Sequence, residues 1–394
     1  MDDDVLEVPQ GRFTLRRHPV PPDPSLRGHD AADAYALRWL AGEEAVGVPP
    51  FPTGGAPDGR WLVVDHLAGA AAVALHAHRS VLWSDSSLCH EGARRNLAAN
   101  DLPEDAVEPL RSTHDPADVA RVAVAVVKVP RSLEELDDLL RRLRPALVPG
   151  AVVVGAGLTR HVHTSTVEAF ATIVGPTVTS HAVRRARLLH ATLDPDLDVA
   201  PAAVPRPRPL DVAGTTVQQV ARPGVFAGGA LDGGTALLLG SVDWSVHAGA
   251  GHVVDLGCGS GLLGTVAAAH LPEAAVTFVD ESYAAVASAR ATFVATHPRR
   301  SCTGLVDDAG RGLAPAGADL VLCNPPFHAQ GARRDDVALR MFTAARRALR
   351  PGGTLVVVGN RHLGHHRALS ERFDVVRVVG SDPRFVVTRA TVAR

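Results

Sequence analysis

Along the second half of the chain, short apolar runs alternate with longer stretches whose apolar residues recur at helical spacing. "GHVVDLGCGSGLLGTVAAAHLPEAAVTFVDES" reads as an apolar strand, a glycine-rich turn, a helix-forming stretch and a second strand ending in an acid, which is a βαβ unit. Strands follow at "ADLVLCN" and "GGTLVVVGN", and "VALRMFTAARRALRPGG" between them predicts an amphipathic helix closed by Pro351 and Gly352. The tail, "FDVVRVVGSDPRFVVTRATV", alternates as two strands joined by a turn at Ser381 to Arg384. Strands alternating with helices predict an α/β fold: a mostly parallel sheet with helices on both faces, ending in an antiparallel hairpin.

The first half carries the same order. "RWLVVDHLAG" ends a strand at Asp65, "SVLWSDSS" ends one at Asp85, and "VAVAVVKVPRS" ends one at Lys128; "LRRLRPALVPGAVVVGAG" then repeats a helix, a Pro-Gly and a strand. Pairing Asp65 with Asp255, Asp85 with Asp280, Lys128 with Asn324 and Pro149 with Pro351 keeps the halves in step, with an offset that grows slowly as unequal loops would make it. The economical reading is a duplicated domain. The Pro-rich stretch "DPDLDVAPAAVPRPRPLDVAG" has neither helical nor strand period and reads as an extended connection. The expected division is therefore a domain over 1–193, a linker over 194–213 and a second domain over 214–394. The copies differ where chemistry would sit: "DLGCGSG" in the second is "DHLAGAA" in the first, and "NPPF" is "KVPR".

Composition changes this picture little. The chain has 394 residues and is 46% hydrophobic, with a formal charge of −2, so contact with a polyanion must come from local basic patches. The four cysteines, Cys89, Cys258, Cys302 and Cys323, lack the spacing of a disulfide framework or a zinc site, so no metal is expected. The start, "MDDDVLEVPQ", has no signal-peptide pattern, and no uncharged apolar run approaches the roughly 18 residues of a membrane span. A cytoplasmic protein is expected, with no membrane partner; nothing in the sequence bears on oligomeric state.

The candidate chemistry lies at two turns. Gly259-x-Gly261-x-x-Gly264 within "DLGCGSGLLG" matches a nucleotide-binding turn, which a tight strand-to-helix connection without ligand also satisfies. Glycines at 257, 259 and 261, with Cys258 among them as a further cofactor-binding candidate, let a ligand approach the backbone, while Asp255 offers a carboxylate that repels pyrophosphate and suits the sulfonium, amino group and ribose of S-adenosylmethionine. Asp280, ending the next strand, is placed to accept from ribose hydroxyls; Asp308 is a candidate acceptor for an adenine amino group, although a surface turn through Asp307 and Asp308 explains both acids. "NPPF" ends the fourth strand at the same edge. An exocyclic amine conjugated to a ring or carbonyl is a poor nucleophile, and the Asn324 side-chain oxygen with the Pro325 carbonyl can hold its N–H groups for in-line attack. Pro326 stiffens the direction of that carbonyl, and Phe327 can stack on a planar substrate.

At these residues the chain resembles the class I S-adenosylmethionine-dependent methyltransferases that act on exocyclic nitrogens. It is most similar to the bacterial ribosomal RNA guanine-N2 methyltransferases, which have two tandem Rossmann-like methyltransferase domains with only the second active. "PGVFAGGALDGGTALLL", "VDLGCGSGLLG", "FVDESYAAVASAR", "VLCNPPFH", "VVGNRHL" and "RFVVTRA" resemble the second domain of that family in order and spacing; "AADAYALRWL", "VHTSTVEAF" and "GPTVTSHAVRRARLL" resemble the first domain of its large-subunit member. The resemblance implies methylation of a guanine N2 in 23S rRNA, with a degenerate first domain that binds RNA. It further implies Asn324, Pro325, Pro326 and Phe327 as catalytic, Asp232 and Thr235 on the cofactor, and Phe226 and His328 on the substrate. Ala227 and Gly233 depart from the family pattern, where a serine and a bulkier apolar residue are usual. Arg361 in "NRHLGHHR" follows a strand at the active edge and is the best placed arginine for RNA phosphate. The same tetrapeptide type also serves methylation of small-subunit rRNA, of DNA adenine or of protein glutamine, and a non-catalytic RNA-binding factor would keep the fold without the motifs.

Overall fold

The longest apolar runs become the central strands of two sheets, because a parallel strand covered by helices on both faces has no solvent side. The computed structural model describes residues 4–20, 26–52, 57–65, 67–226, 231–326 and 333–394, the last from 336 where side chains are concerned. It divides into two units, Met1–Val204 and Pro205–Arg394.

Unit 1 begins with the hairpin β1 (Val5–Val8) and β2 (Gly11–Thr14), then α1 (Ala31–Leu40). Next come β3 (Arg60–Val64), α2 (Ala70–Ala74), β4 (Ser80–Ser84), α3 (Ser87–Ala99), β5 (Val107–Arg111) and β6 (Val122–Lys128). The unit closes with α4 (Leu133–Leu143), β7 (Leu147–Leu158), α5 (Thr164–Ile173), β8 (Thr177–Thr179) and β9 (Ala186–Thr192). Its seven-stranded sheet has the order β5-β4-β3-β6-β7-β9-β8. The first five pair in parallel, and β9 runs antiparallel to both β7 and β8. Successive residues face opposite sides, as the pleat requires. Val63, Val124, Val126 and Val154 pack toward α1, α2 and α3, while Leu62, Ala125, Val127 and Val153 pack toward α4 and α5.

Unit 2 begins with the hairpin β10 (Arg208–Val212) and β11 (Thr215–Gln219), followed by α6 (Gly233–Ser241), β12 (His252–Leu256), α7 (Leu262–His270), β13 (Ala275–Asp280) and α8 (Tyr283–Thr296). It continues with β14 (Thr303–Val306), β15 (Ala318–Cys323), α9 (Arg333–Ala348), β16 (Leu349–Asn360), α10 (His365–Ser370), β17 (Val375–Ser381) and β18 (Phe385–Thr391). The order β14-β13-β12-β15-β16-β18-β17 repeats that of unit 1 strand for strand, including the antiparallel pair at the end. On α9 the buried residues Ala338, Met341, Phe342 and Ala345 recur at helical spacing against Leu256, Val321 and Val357 of the sheet.

Two local readings change. The helix expected to be closed by Pro351 and Gly352 ends at Ala348, and Leu349 already pairs with Ala318. Proline disfavours helical backbone in the residue before it, so Arg350 leaves the helix early, and Pro351 and Gly352 lie in the bulge that follows. The connection expected over 194–213 contains β10. Ala213 and Gly214 both have positive φ (47° and 78°), the geometry of the tight turn that joins hairpin strands, and Pro209 is accommodated because this ribbon has only two strands.

No helix of the described residues is long and apolar enough to cross a membrane, and the described residues include no group of three metal-ligating side chains.

Candidate active site

The site of unit 2 forms where β12, β13 and β15 end together. Asp255, fully buried, accepts the Gly264 N–H through Oδ2 at 2.8 Å and so ties the end of β12 to the first turn of α7; its Oδ1 has no hydrogen-bond partner. Burial raises this carboxyl to about 8, the Gly264 N–H opposes the shift, and Asp280 adds to it. The turn between strand and helix is drawn onto β13: the Gly257 and Cys258 N–H groups both donate to the Val279 carbonyl, at 2.8 and 3.0 Å. Asp280 closes it, accepting from Gly259 N–H and from Ser282 N–H at the start of α8, each at 3.1 Å.

Gly257, Gly259 and Gly261 all have left-handed backbone, at φ of 76°, 50° and 82°. Their reasons differ. A Cβ on Gly261 would come within 2.6 Å of the Ala289 backbone, so that glycine serves the packing of α7 on α8, whereas Gly259 lies under Phe226, whose carbonyl a Cβ would meet at 3.4 Å. Cys258 fills space: burial, then Asp280 and Asp255, keep its thiol well above the usual range.

Phe226 reaches this place by a route the sequence did not announce. One face of α8 carries Ser288, Thr292 and Thr296, one turn apart, and their hydroxyls accept from the backbone of β11 and the segment that follows it. Thr296 takes the Gln218 N–H at 2.9 Å, Thr292 takes the Val220 N–H at 2.9 Å and returns its own hydroxyl to the Val220 carbonyl at 3.0 Å, and Ser288 takes the Arg222 N–H at 3.1 Å. The strap then delivers Phe226 over the glycine turn with its side chain exposed.

Asn324 stands at the end of β15, next to the turn, because β12 and β15 pair up to Leu256 and Cys323. Its Nδ2 donates to Asp232 Oδ2 at 3.1 Å and to Thr235 Oγ1 at 2.9 Å; its Oδ1 is buried and has no partner. Asp232 is the N-cap of α6 and also accepts the Thr235 N–H at 3.0 Å. Asp232 and Thr235, for which the resemblance implies cofactor contact, are thus engaged with Asn324. Pro325 is buried and Pro326 exposed; Phe327, His328 and Ala227 lie outside the described residues. Asp308 does open a turn, its carbonyl accepting the Arg311 N–H at 3.1 Å, but its side chain is largely buried and paired with Arg340; Oδ2 makes no hydrogen bond and lies 3.9 Å from the Arg311 guanidinium. Arg361 is exposed at the end of β16, its backbone N–H on the Arg384 carbonyl at 3.0 Å and its guanidinium on the Asp382 carbonyl at 2.5 Å.

Unit 1 has the same frame with different contents. Asp65 takes the place of Asp255 and accepts the Gly69 N–H at 2.9 Å, but its other oxygen is occupied by Leu67 N–H at 3.0 Å. Lys128 takes the place of Asn324. Its ammonium donates to both Asp33 oxygens, at 2.9 and 2.7 Å, and lies 3.3 Å from Asp30, the N-cap of α1. Burial alone would lower the lysine's pKa; Asp33, Asp65 and Asp30 outweigh it and hold the ammonium charged. The equivalent position is therefore held by an ion pair, and its ammonium, unlike the Asn324 amide, has no acceptor to offer a ligand.

A sheet of this order, present here twice, is that of the Rossmann-like methyltransferase class, and unit 2 adds a glycine turn after its first strand and a polar clamp after its fourth. Residues 216–389 match the model of the methyltransferase small domain, and residues 3–195 match the RLMG N-terminal domain. Ribosomal RNA large subunit methyltransferase G of Streptomyces griseus is 45% identical over 387 residues, covering 97% of each chain. The protein of that name from Stutzerimonas stutzeri is 38% identical over 393 residues, covering 99% of this chain and 100% of its own. The solved T. thermophilus 16S rRNA N2 G1207 methyltransferase, in complex with AdoMet and guanosine, superposes with a TM-score of 0.76 at 23% identity, covering 98% of this chain and 97% of its own. The chain belongs to the ribosomal RNA large subunit methyltransferase G family.

Burial pushes the Asp33 carboxyl up to about 7 even beside the ammonium. Two outcomes are expected. Lys128→Met leaves this acid buried without its cationic partner and lowers the stability of unit 1 by about 3–5 kcal/mol in urea unfolding, and adding Asp33→Asn recovers most of the loss. Asp255 holds a proton in the folded chain that the unfolded chain has released above about pH 4. Stability of the ligand-free protein therefore falls as pH rises from that value toward about 8. Asp255→Asn removes this slope, so the variant gains on the parent protein in melting experiments at pH 8 relative to pH 5.

Proposed function

We propose that unit 2 transfers a methyl group from S-adenosylmethionine to the exocyclic N2 of a guanine in 23S rRNA. The observation that carries this reading is the buried, unpartnered Oδ1 of Asn324, set beside a glycine turn whose own acid, Asp255, also has an unpartnered oxygen. Large-subunit rRNA as substrate is supported by the names of the relatives and by the matching first domain.

The residues at the edge fit the cofactor. Asp255, protonated in the ligand-free chain, becomes a carboxylate for its cationic end once that charge favours loss of the proton; Asp280 already faces the turn and suits ribose hydroxyls, and the left-handed glycines 257 and 259 admit a ligand close to the backbone. Asp308, with one oxygen unbonded, suits the adenine amine. When bound, S-adenosylmethionine supplies an electrophilic methyl group on a sulfonium. The chain's own residues make the nucleophile competent. The lone pair of a guanine N2 is delocalised into the ring, and attack requires that nitrogen to become tetrahedral. Asn324 Oδ1 and the Pro325 carbonyl, both acceptors at the end of one strand, take its two N–H groups and favour that geometry; preorganised acceptors of this kind contribute on the order of 10²–10³ in rate. Phe327 and His328 are proposed to flank the base, with Phe226 across the turn. Arg361, with Arg384 beside it, forms a basic rim at the same edge and is proposed to contact RNA phosphate.

Asn324→Ala is expected to lower methyl transfer by at least about 10², with cofactor affinity by calorimetry unchanged; transfer at the parental rate would remove Asn324 from the mechanism. Tritium transfer from labelled cofactor to 23S rRNA, 16S rRNA, DNA and protein in parallel, followed by nucleoside analysis, is expected to label N2-methylguanosine in 23S rRNA. Label in 16S rRNA alone would favour the small-subunit activity, and label in N6-methyladenine or methylglutamine would replace the guanine reading. Arg361→Ala is expected to weaken RNA binding and to reduce the slope of log K against log salt by about one, leaving cofactor affinity intact.

A further inference from the structure

An amide that must present an oxygen to a substrate has a problem of orientation: its two ends are nearly the same shape, and a half-turn about its last bond replaces an acceptor by a donor. We propose that Asp232 and Thr235 are positioning residues that settle this orientation, holding Nδ2 of Asn324 in the N-terminal cap of α6 so that Oδ1 faces the reacting amine. The proposal rests on the methyl-transfer reading given above and reassigns two residues expected on the cofactor.

The geometry is selective. Asp232 Oδ2 and Thr235 Oγ1 lie 3.1 and 2.9 Å from Nδ2. An ionised carboxylate is acceptor-only, so the turned amide would set oxygen against oxygen at Asp232 and would meet the substrate's N–H groups with N–H groups. Asp232 is itself fixed, because the same Oδ2 caps the helix by accepting the Thr235 N–H at 3.0 Å. Thr235 is nearly fully buried, which removes competing water from the contact. Cap, hydroxyl and amide thus form one unit spanning α6 and the end of β15, and that unit leaves one acceptor uncommitted.

Unit 1 supplies an independent view of the same device. Its helix α1 is capped by Asp30, and Asp33 stands three residues on, as Thr235 does from Asp232. The side chain ending the fourth strand again enters this cap: Lys128 reaches Asp33 at 2.7 Å and Asp30 at 3.3 Å. Both partners differ together between the units. Where a hydroxyl and a carboxylate hold an amide, an acceptor is left over; where two carboxylates hold an ammonium, none is. The cap therefore acts in both units as the holder of the strand-end side chain.

The test uses the full-length protein, S-adenosylmethionine and the RNA that the parent protein labels. Thr235→Val keeps the shape and removes the hydroxyl; Asp232→Ser keeps a capping oxygen for the helix but is too short to reach Nδ2. Each is expected to lower the single-turnover rate at least about tenfold while the calorimetric Kd for S-adenosylmethionine stays within about twofold, and Thr235→Ser restores the rate to within a few fold. In an Asn324→Ala background, Thr235→Val is expected to cause no further loss, since the group it positions is gone. A cofactor Kd raised about tenfold with the rate of the bound complex unchanged, or losses that add in the double variant, would overturn the proposal and return both residues to the cofactor. With 15N-asparagine labelling, the Nδ2 protons of Asn324 are expected to exchange slowly in the parent protein and fast in Thr235→Val. That readout needs no substrate, so equal exchange in both sinks the proposal even where the methyl acceptor proves to be something other than 23S rRNA.

Discussion

The active edge depends on one buried carboxyl group placed where a parallel strand ends and a helix begins. Asp255 accepts the Gly264 N–H at 2.8 Å, and Asp65 accepts the Gly69 N–H at 2.9 Å, so in both units this bond sets the angle of the turn that follows the first sheet strand. Burying such a group is costly unless all its lone pairs are used. Unit 1 has relieved that cost: the second oxygen of Asp65 takes a backbone N–H, and Lys128 supplies positive charge nearby. Unit 2 has not, and the second oxygen of Asp255 remains without a bond. A fold that leaves a buried acid under-satisfied gives up stability at the place where a cationic ligand can restore it, which is the usual relation between stability and function.

The same contrast governs the end of the fourth strand. In unit 1 the cap of α1 and Lys128 satisfy one another completely; in unit 2 the cap of α6 holds only the donor end of Asn324. The two copies differ less in fold than in whether polar groups at the carboxyl edge are closed upon themselves or left facing outward. The strap after β11 belongs to this arrangement, since the hydroxyl face of α8 fixes its backbone and so decides where Phe226 stands relative to Gly259.

Much of the fold was legible because its cause is local. Continuous apolar runs such as Val122–Lys128 are what a strand buried on both faces requires, and the amphipathic period of α9 places Ala338, Met341, Phe342 and Ala345 on the sheet. The hairpin of β10 and β11 was missed because its turn is Ala-Gly rather than Asn-Gly and its first strand carries a proline inside a Pro-rich stretch. The closing of α9 was misplaced for a related reason: a proline announces that a helix must end before it, not by how much.

By itself the sequence determined the duplication, the succession of strands and helices in each half, and the residue types at the edge: an acid at the end of the first strand, glycines behind it, and an amide after the fourth strand in one copy against a lysine in the other. Those follow from hydrophobic period and backbone sterics, which act over a few residues. Only the tertiary structure decided what each polar group faces. That Asp308 pairs with Arg340 through one oxygen, that Asp232 and Thr235 hold Asn324, and that Lys128 is locked by Asp33 are contacts between residues from 32 to 95 positions apart. Hydrogen bonding is directional and short in range, so its partners are known only when the packing of helix on sheet has brought distant side chains within about 3 Å.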